Sequence, residues 1–207
     1  GATSNSKKSC SFGHVAATSF YPAKPLGCYG DGGAIFTNDK KIAEISRSIR
    51  VHGQGIDKYD NIRIGLNSRL DTIQAAVLLN KMKIFDNELS KRQKIANYFS
   101  NELEQYLKVP LIKKNSTSSW AQYSLLASSE SQRDDLVNHL NKNDIPTAIF
   151  YKKIFSELKM YNDYNLYTYK VSKTVSKKIF SIPMHPYLKN KELEKIVSTI
   201  KGYFKKW

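Results

Sequence analysis

Apolar residues recur at helical spacing in several stretches of the chain, separated by polar and glycine-containing segments. Ile42, Ile45 and Ile49 predict a short helix ending near Arg50, with Asn38-Asp39 offering its N-cap. His52-Gly53-Gln54-Gly55 ends that helix, and the polar residues with Asn61 and Gly65 predict an irregular loop as far as Leu66. Asp71 opens a second helix, with Ile73 and Val77 on one face and Leu78, Met82 and Phe85 on another; a helix apolar on two faces is expected to be buried. Further stripes follow at Ile95, Phe99, Leu103 and Tyr106, at Leu136, Val137 and Leu140, at Val171, Val175 and Ile179, and at Leu193, Ile196, Val197, Ile200 and Phe204. Strands are predicted at 15–20, 34–37 (buried), 122–127 and 148–151. The serine-rich run 116–119 and Ile182-Pro183-Met184-His185-Pro186 read as turns, and the tyrosine-rich piece 161–169 as loop. Helices alternating with strands argue for an α/β fold, a small layer packed beside a piece of a larger one. No internal repeat is visible. The length suits one large or two small domains, and the pattern divides them at 86/87.

One stretch carries more than packing information. Lys24 lies between Pro22 and Pro25, which disfavour helix and predict an extended or turning backbone. Gly27, Gly30, Gly32 and Gly33 follow closely and permit tight turns or close approach to a ligand. A lysine between a glycine-rich turn and an apolar strand is placed to lose its proton and act as a nucleophile. The spacing equally fits a surface loop with an incidental lysine.

The run Ser19-Phe20-Tyr21-Pro22-Ala23-Lys24-Pro25-Leu26-Gly27, with Gly30-Asp31-Gly32-Gly33 and Thr37-Asn38-Asp39, resembles the lysine segment of the pyridoxal-phosphate-dependent nucleotide-sugar aminotransferases, the DegT/DnrJ/EryC1/StrS family. Arg50-Val51-His52-Gly53-Gln54 and the run from Gly65-Leu66-Asn67-Ser68-Arg69 through Gln74-Ala75-Ala76 match the family's next two motifs in order. Within the family the sequence is most similar to the bacterial enzymes that aminate UDP-linked 3-keto-N-acetylglucosaminuronic acid for surface polysaccharides.

The resemblance implies the C-terminal part of a fold-type I transferase: 1–86 would close the large cofactor-binding domain and 87–207 form the small C-terminal α/β domain. Lys24 would bond pyridoxal phosphate covalently and later move a proton between the substrate carbon and the cofactor. Ser19 would contact the cofactor phosphate, or else serve as a strand residue bonded to its neighbours. Asn67 would reach across a homodimer to the partner's cofactor phosphate. Arg69 would face the substrate carboxylate, or else pair with Asp71. Gly30, Asp31, Gly32 and Gly33 are expected to shape the turn, and His52 and His185 to be structural, because the lysine already carries the proton. The resemblance also implies that the family's pyridine-pairing aspartate and its glycine-threonine phosphate segment precede Gly1 and are absent from this sequence. After Phe150-Tyr151 the family continues with a proline-rich segment containing a histidine, whereas this chain reads Lys152-Lys153-Ile154-Phe155, which leaves the sugar open.

The net charge is +15. Such a balance fits a polyanionic partner or a lysine-rich solvated exterior. Glutamates interleave with the lysines, as in Lys191, Glu192, Glu194 and Lys195, which favours the exterior, so no dedicated nucleic-acid or membrane partner is expected. The rival function is an inactive piece acting as a basic binding or assembly module, and a third outcome is a remnant whose exposed apolar faces promote aggregation. Cys10 and Cys28 are the only cysteines, without metal-ligand spacing, and suit a reducing compartment. The first residues hold no apolar run suited to a signal peptide, and a cytoplasmic location is expected. The expected partners are a nucleotide sugar and an amino donor, glutamate by resemblance.

Overall fold

The computed structural model describes residues 1–164 and 169–205. Its backbone forms two compact units, one of Gly1–Leu89 with Lys113–Ser119, the other of Ser90–Ile112 with Trp120–Trp207.

The first unit begins with β1 (Thr3–Ser4) and β2 (Lys7–Lys8), then β3 (Ala16–Ser19), β4 (Gly33–Phe36), α1 (Lys40–Arg50) and α2 (Thr72–Met82). Helix α3 (Phe85–Leu103) starts in this unit and continues into the other. Strand β1 pairs antiparallel with β2 and with β5 (Ser116–Thr117), and β3 pairs antiparallel with β4, Ser19 facing Gly33. Asp39 caps α1, its carboxylate accepting from the Ile42 amide at 3.1 Å. Ile42, Ile45 and Ile49 are half-buried on one face of α1, as its periodicity predicts.

Several expectations fail in this unit: Phe85, placed on the second helix, opens α3 after α2 ends at Met82, and Ser116-Thr117, read as part of a turn, forms β5. The strand at 34–37 exists but is not buried: Ile35 and Phe36 are exposed, because β3 and β4 form a two-stranded ribbon with no third strand on it among the described residues. Helix α2 begins after Asp71 as expected, yet only Leu78 is buried, and Ile73 and Met82 face outward. Two apolar faces call for cover on both sides, and the described residues cover one.

The second unit holds β6 (Tyr123–Leu126), α4 (Glu130–Lys142), α5 (Lys170–Lys178), β7 (Ile179–Ile182) and α6 (Asn190–Phe204). Strands β6 and β7 pair antiparallel, Tyr123 opposite Ile182 and Leu125 opposite Phe180. Those side chains join Ile95, Phe99 and Leu103 of α3, Leu136 and Leu140 of α4, and Ile196, Val197 and Ile200 of α6 in one core. Buried Arg92 ties the core together: its Nη1 donates to the carbonyls of Trp120 at 2.9 Å and Met184 at 3.0 Å.

The helical stripes predicted in this region are largely the ones observed, with three exceptions. Tyr106 lies in the turn beyond the end of α3, Val171 is exposed on α5, and Ile179 opens β7 instead of closing α5, because its backbone pairs with Leu126. No strand forms at 148–151; only Ala148 bridges to Ser181, exchanging both backbone bonds, and Pro146 just before it has no N–H to extend the pairing. The piece read as loop at 161–169 opens within a 3-10 helix, Lys159–Tyr164, and its middle, 165–168, lies outside the described residues.

Candidate functional site

Strand β3 ends at Ser19 and feeds a loop tied at both ends. The Cys28 amide and thiol both donate to the Phe20 carbonyl, at 2.8 and 3.0 Å, and the Phe20 amide donates to the Gly32 carbonyl at 2.7 Å. Within the loop the Lys24 amide donates to the Tyr21 carbonyl at 2.8 Å, closing a turn through Pro22 and Ala23. Gly27 lets the loop fold back on itself: a Cβ there would lie 2.6 Å from the Tyr21 carbonyl oxygen. Lys24 is exposed on this turn, and no carboxylate among the described residues pairs with it. Ser19 is exposed too; its Oγ accepts from the Tyr21 amide at 3.2 Å and keeps its own proton and further acceptor capacity available.

Asn67 and Arg69 sit in a second tied segment. The chain after α1 doubles back: the His52 amide donates to the Leu66 carbonyl at 2.9 Å, the Leu66 amide to the Ile49 carbonyl at 2.7 Å, and Val51 bridges to Asn67. Gly53 and Gly65 meet backbone to backbone at this fold. Gly53 has a φ of +74°, and a Cβ on it would stand 1.7 Å from the Arg63 carbonyl oxygen. Arg69 Nη2 donates to Asn67 Oδ1 at 3.4 Å, so the arginine's neighbour is Asn67; Asp71, its other expected partner, stands as the N-cap position of α2 without a side-chain cap bond. Both residues are exposed.

The four predicted site residues therefore lie in the first unit as two pairs, Ser19 with Lys24 and Asn67 with Arg69. No hydrogen bond or ion pair among the described residues joins one pair to the other. His52 has a positive φ of 59° and is exposed, and His185 Nδ1 accepts from the Tyr187 amide at 3.3 Å. The second unit has its own cleft of about 1200 Å³, lined by Phe150, Tyr151, Lys152, Phe155, Tyr161 and Val175 among others, and none of the four residues faces it. The described residues hold no cluster of three or more metal-ligating side chains, and no described helix is long and apolar enough to cross a membrane.

The sequence alone assigned no site role to three further residues of the Lys24 region: Cys28, Gln74 and Lys81. Gln74 Oε1 accepts from the Tyr29 amide at 2.7 Å, and Lys81 Nζ donates to the Gly27 carbonyl at 2.6 Å. A signal for Gln74 was present, since it stands inside the third family motif; Lys81, seven residues on along α2, had none.

The chain is 40% identical over 201 residues to the UDP-2-acetamido-2-deoxy-3-oxo-D-glucuronate aminotransferase of Pseudomonas aeruginosa, covering 97% of this chain and 55% of that protein. It is 32% identical over 204 residues to the dTDP-3-amino-3,6-dideoxy-alpha-D-galactopyranose transaminase of Aneurinibacillus thermoaerophilus, covering 98% of this chain and 55% of that one. The crystal structure of a DegT DnrJ EryC1 StrS aminotransferase from Brucella abortus superimposes with a TM-score of 0.93 at 45% identity, over 98% of this chain and 54% of that chain. The chain thus spans about half the length of the curated relatives it matches, and its fold is that of the C-terminal part of these aminotransferases. The family's sequence profile matches residues 1–201, and the chain belongs to the DegT/DnrJ/EryC1/StrS aminotransferase family.

Proposed function

We propose that this chain is the lysine-bearing C-terminal part of a pyridoxal-phosphate-dependent aminotransferase that moves an amino group, from glutamate, onto a nucleotide-linked keto sugar for surface polysaccharide. The observation that carries this reading is Lys24 on an exposed turn whose flanks, Phe20 and Cys28, are tied to each other. The donor set suits the cofactor: an accessible primary amine and, five residues earlier, an accessible hydroxyl match a group with an aldehyde and a phosphate. When bound, pyridoxal phosphate supplies the electron sink that makes a substrate C–H bond acidic. Lys24 Nζ would hold the cofactor through its aldehyde and, when free, would serve as the base that carries a proton between the substrate carbon and the cofactor. Ser19 Oγ holds the phosphate from the end of β3. Asn67 serves the partner's phosphate in a homodimer, and Arg69 forks onto the sugar carboxylate, with Asn67 Oδ1 steadying its guanidinium.

The first unit then corresponds to the end of the cofactor domain and the second to the small domain, in a cytoplasmic enzyme. The likeness to the Pseudomonas aeruginosa protein supports a UDP-linked 3-keto uronic acid as substrate. Incubating the chain with pyridoxal phosphate, reducing with borohydride and mapping the adduct by peptide mass tests the role of Lys24. Modification of Lys24 ahead of the other lysines is expected; modification scattered over many lysines, or preferring a different one, counts against it.

A further inference from the structure

The limb of the loop that follows Lys24 has backbone groups that no strand or helix partners. Two side chains of α2 supply those partners. Gln74 and Lys81 are seven residues apart, about two turns, and so share one helical face. Gln74 Oε1 accepts from the Tyr29 amide at 2.7 Å. Lys81 Nζ donates to the Gly27 carbonyl at 2.6 Å and lies 4.7 Å from the centroid of the Tyr29 ring, within cation–π range. Gly30 packs against the same glutamine: a Cβ there would come within 3.1 Å of Gln74 Nε2. A charge-assisted bond, an amide bond and a ring contact thus fall on Gly27 and Tyr29, three and five residues beyond Lys24.

Covalent capture of an aldehyde by an amine depends on holding the amine within a narrow range of position, and displacement by an ångström has large kinetic cost. Phe20 and Cys28 tie the two ends of the loop to each other, whereas Gln74 and Lys81 tie it to a rigid helix. We infer that Gln74 and Lys81 are positioning residues that hold the Lys24 turn against α2 for bond formation with the cofactor. This inference rests on the assignment of Lys24 made above. Neither residue touches the reacting atoms; each acts through the backbone of the loop.

The test compares Lys81→Met and Gln74→Leu, which remove the contacts, with Lys81→Arg and Gln74→Glu, which keep a donor and an acceptor. Amide hydrogen exchange across 25–33 and the rate of borohydride-fixed modification of Lys24 by pyridoxal phosphate are measured on the same samples. Exchange of the Tyr29 amide is expected to rise roughly five-fold in Gln74→Leu, the loss of one hydrogen bond, with amides of the second unit unchanged. Modification of Lys24 should slow on the order of ten-fold in both disrupting variants while other lysines react as before. Lys81→Arg and Gln74→Glu should restore both readouts. Unchanged exchange overturns the clamp. Faster exchange with an unchanged Lys24 rate overturns the positioning role and leaves a purely structural contact. If the unsubstituted chain takes no label at Lys24, the assignment of that lysine fails, and exchange alone decides whether α2 holds the loop.

Discussion

The two units divide structure and chemistry unequally. In the second, Phe99, Tyr123, Leu125, Phe180 and Ile200 are fully buried in a continuous core, and none of its residues falls in the three family motifs. In the first, the motifs follow one another from Ser19 to Ala76, yet Cys28 and Leu78 are its only buried apolar side chains among the described residues, while Ile56, Ile64, Leu66, Ile73 and Met82 are exposed. Order in the first unit comes instead from backbone ties: Cys28 to Phe20, His52 to Leu66, Gln74 to Tyr29, Lys81 to Gly27. The uncovered apolar side chains of the first unit remain available to ligands or other surfaces, whereas those of the second are used in its own interior.

The largest effect that would sharpen this contrast is in the core. Phe99→Ala should destabilise the second unit by about 3–5 kcal/mol, the usual cost of removing a buried aromatic ring. Ile64→Ser, in the first unit, should stay within about 0.5 kcal/mol and chiefly lower self-association. Denaturant unfolding followed by the tryptophan signal for the first, and light scattering for the second, would check the pair. A large stability loss in Ile64→Ser would break the comparison.

Next comes Gly53→Ala. At a φ of +74°, with Arg63 carbonyl oxygen 1.7 Å from the new Cβ, the backbone must move, at a cost of about 2 kcal/mol or more. Hydrogen exchange at the His52 and Leu66 amides should rise, and the Asn67–Arg69 pair should lose its place, with the second unit unaffected.

The smallest effect is with pH. Burial raises the Tyr123 phenol above its usual 10.0, and the Ser100 hydroxyl, 2.8 Å away, only partly offsets it. The bond to Glu102 raises Lys201 above its usual 10.5. A group whose folded-state value is raised contributes stability that is complete below its unfolded value and lost as pH climbs through the folded one. Stability of the second unit from these two groups should therefore be level through neutrality and fall above about pH 10. Tyr123→Phe should make that decline shallower.

Much of this was legible in the sequence where the signal is local. Asp39 with Ile42, Ile45 and Ile49 announces α1, and Leu193 through Ile200 announces α6, because caps and 3.6-residue periodicity act within a few residues. Strand β7 was missed because Ile179–Ile182 follows α5 without a break, and four residues are too few to show alternation. The outward faces of α2 were misread because periodicity reports that a face is apolar and says nothing of what covers it. At the candidate site, Lys24 between its prolines was readable from neighbours. Its supports were harder to read: Tyr29 and Gln74 are 45 residues apart, Gly27 and Lys81 are 54 apart, and although Gln74 stands inside a family motif, nothing local marks either side chain as a partner of distant backbone.

The central claim is that Lys24 is the residue through which the cofactor is held. It is tested most directly by co-expressing this chain with the portion of the Pseudomonas aeruginosa relative that it does not cover, and recording the visible absorbance of the purified assembly with Lys24 intact and as Lys24→Ala. The account predicts a bound, coloured cofactor with Lys24 and none with alanine. Equal colour in both, or a colourless assembly that folds and associates with Lys24 in place, would contradict it.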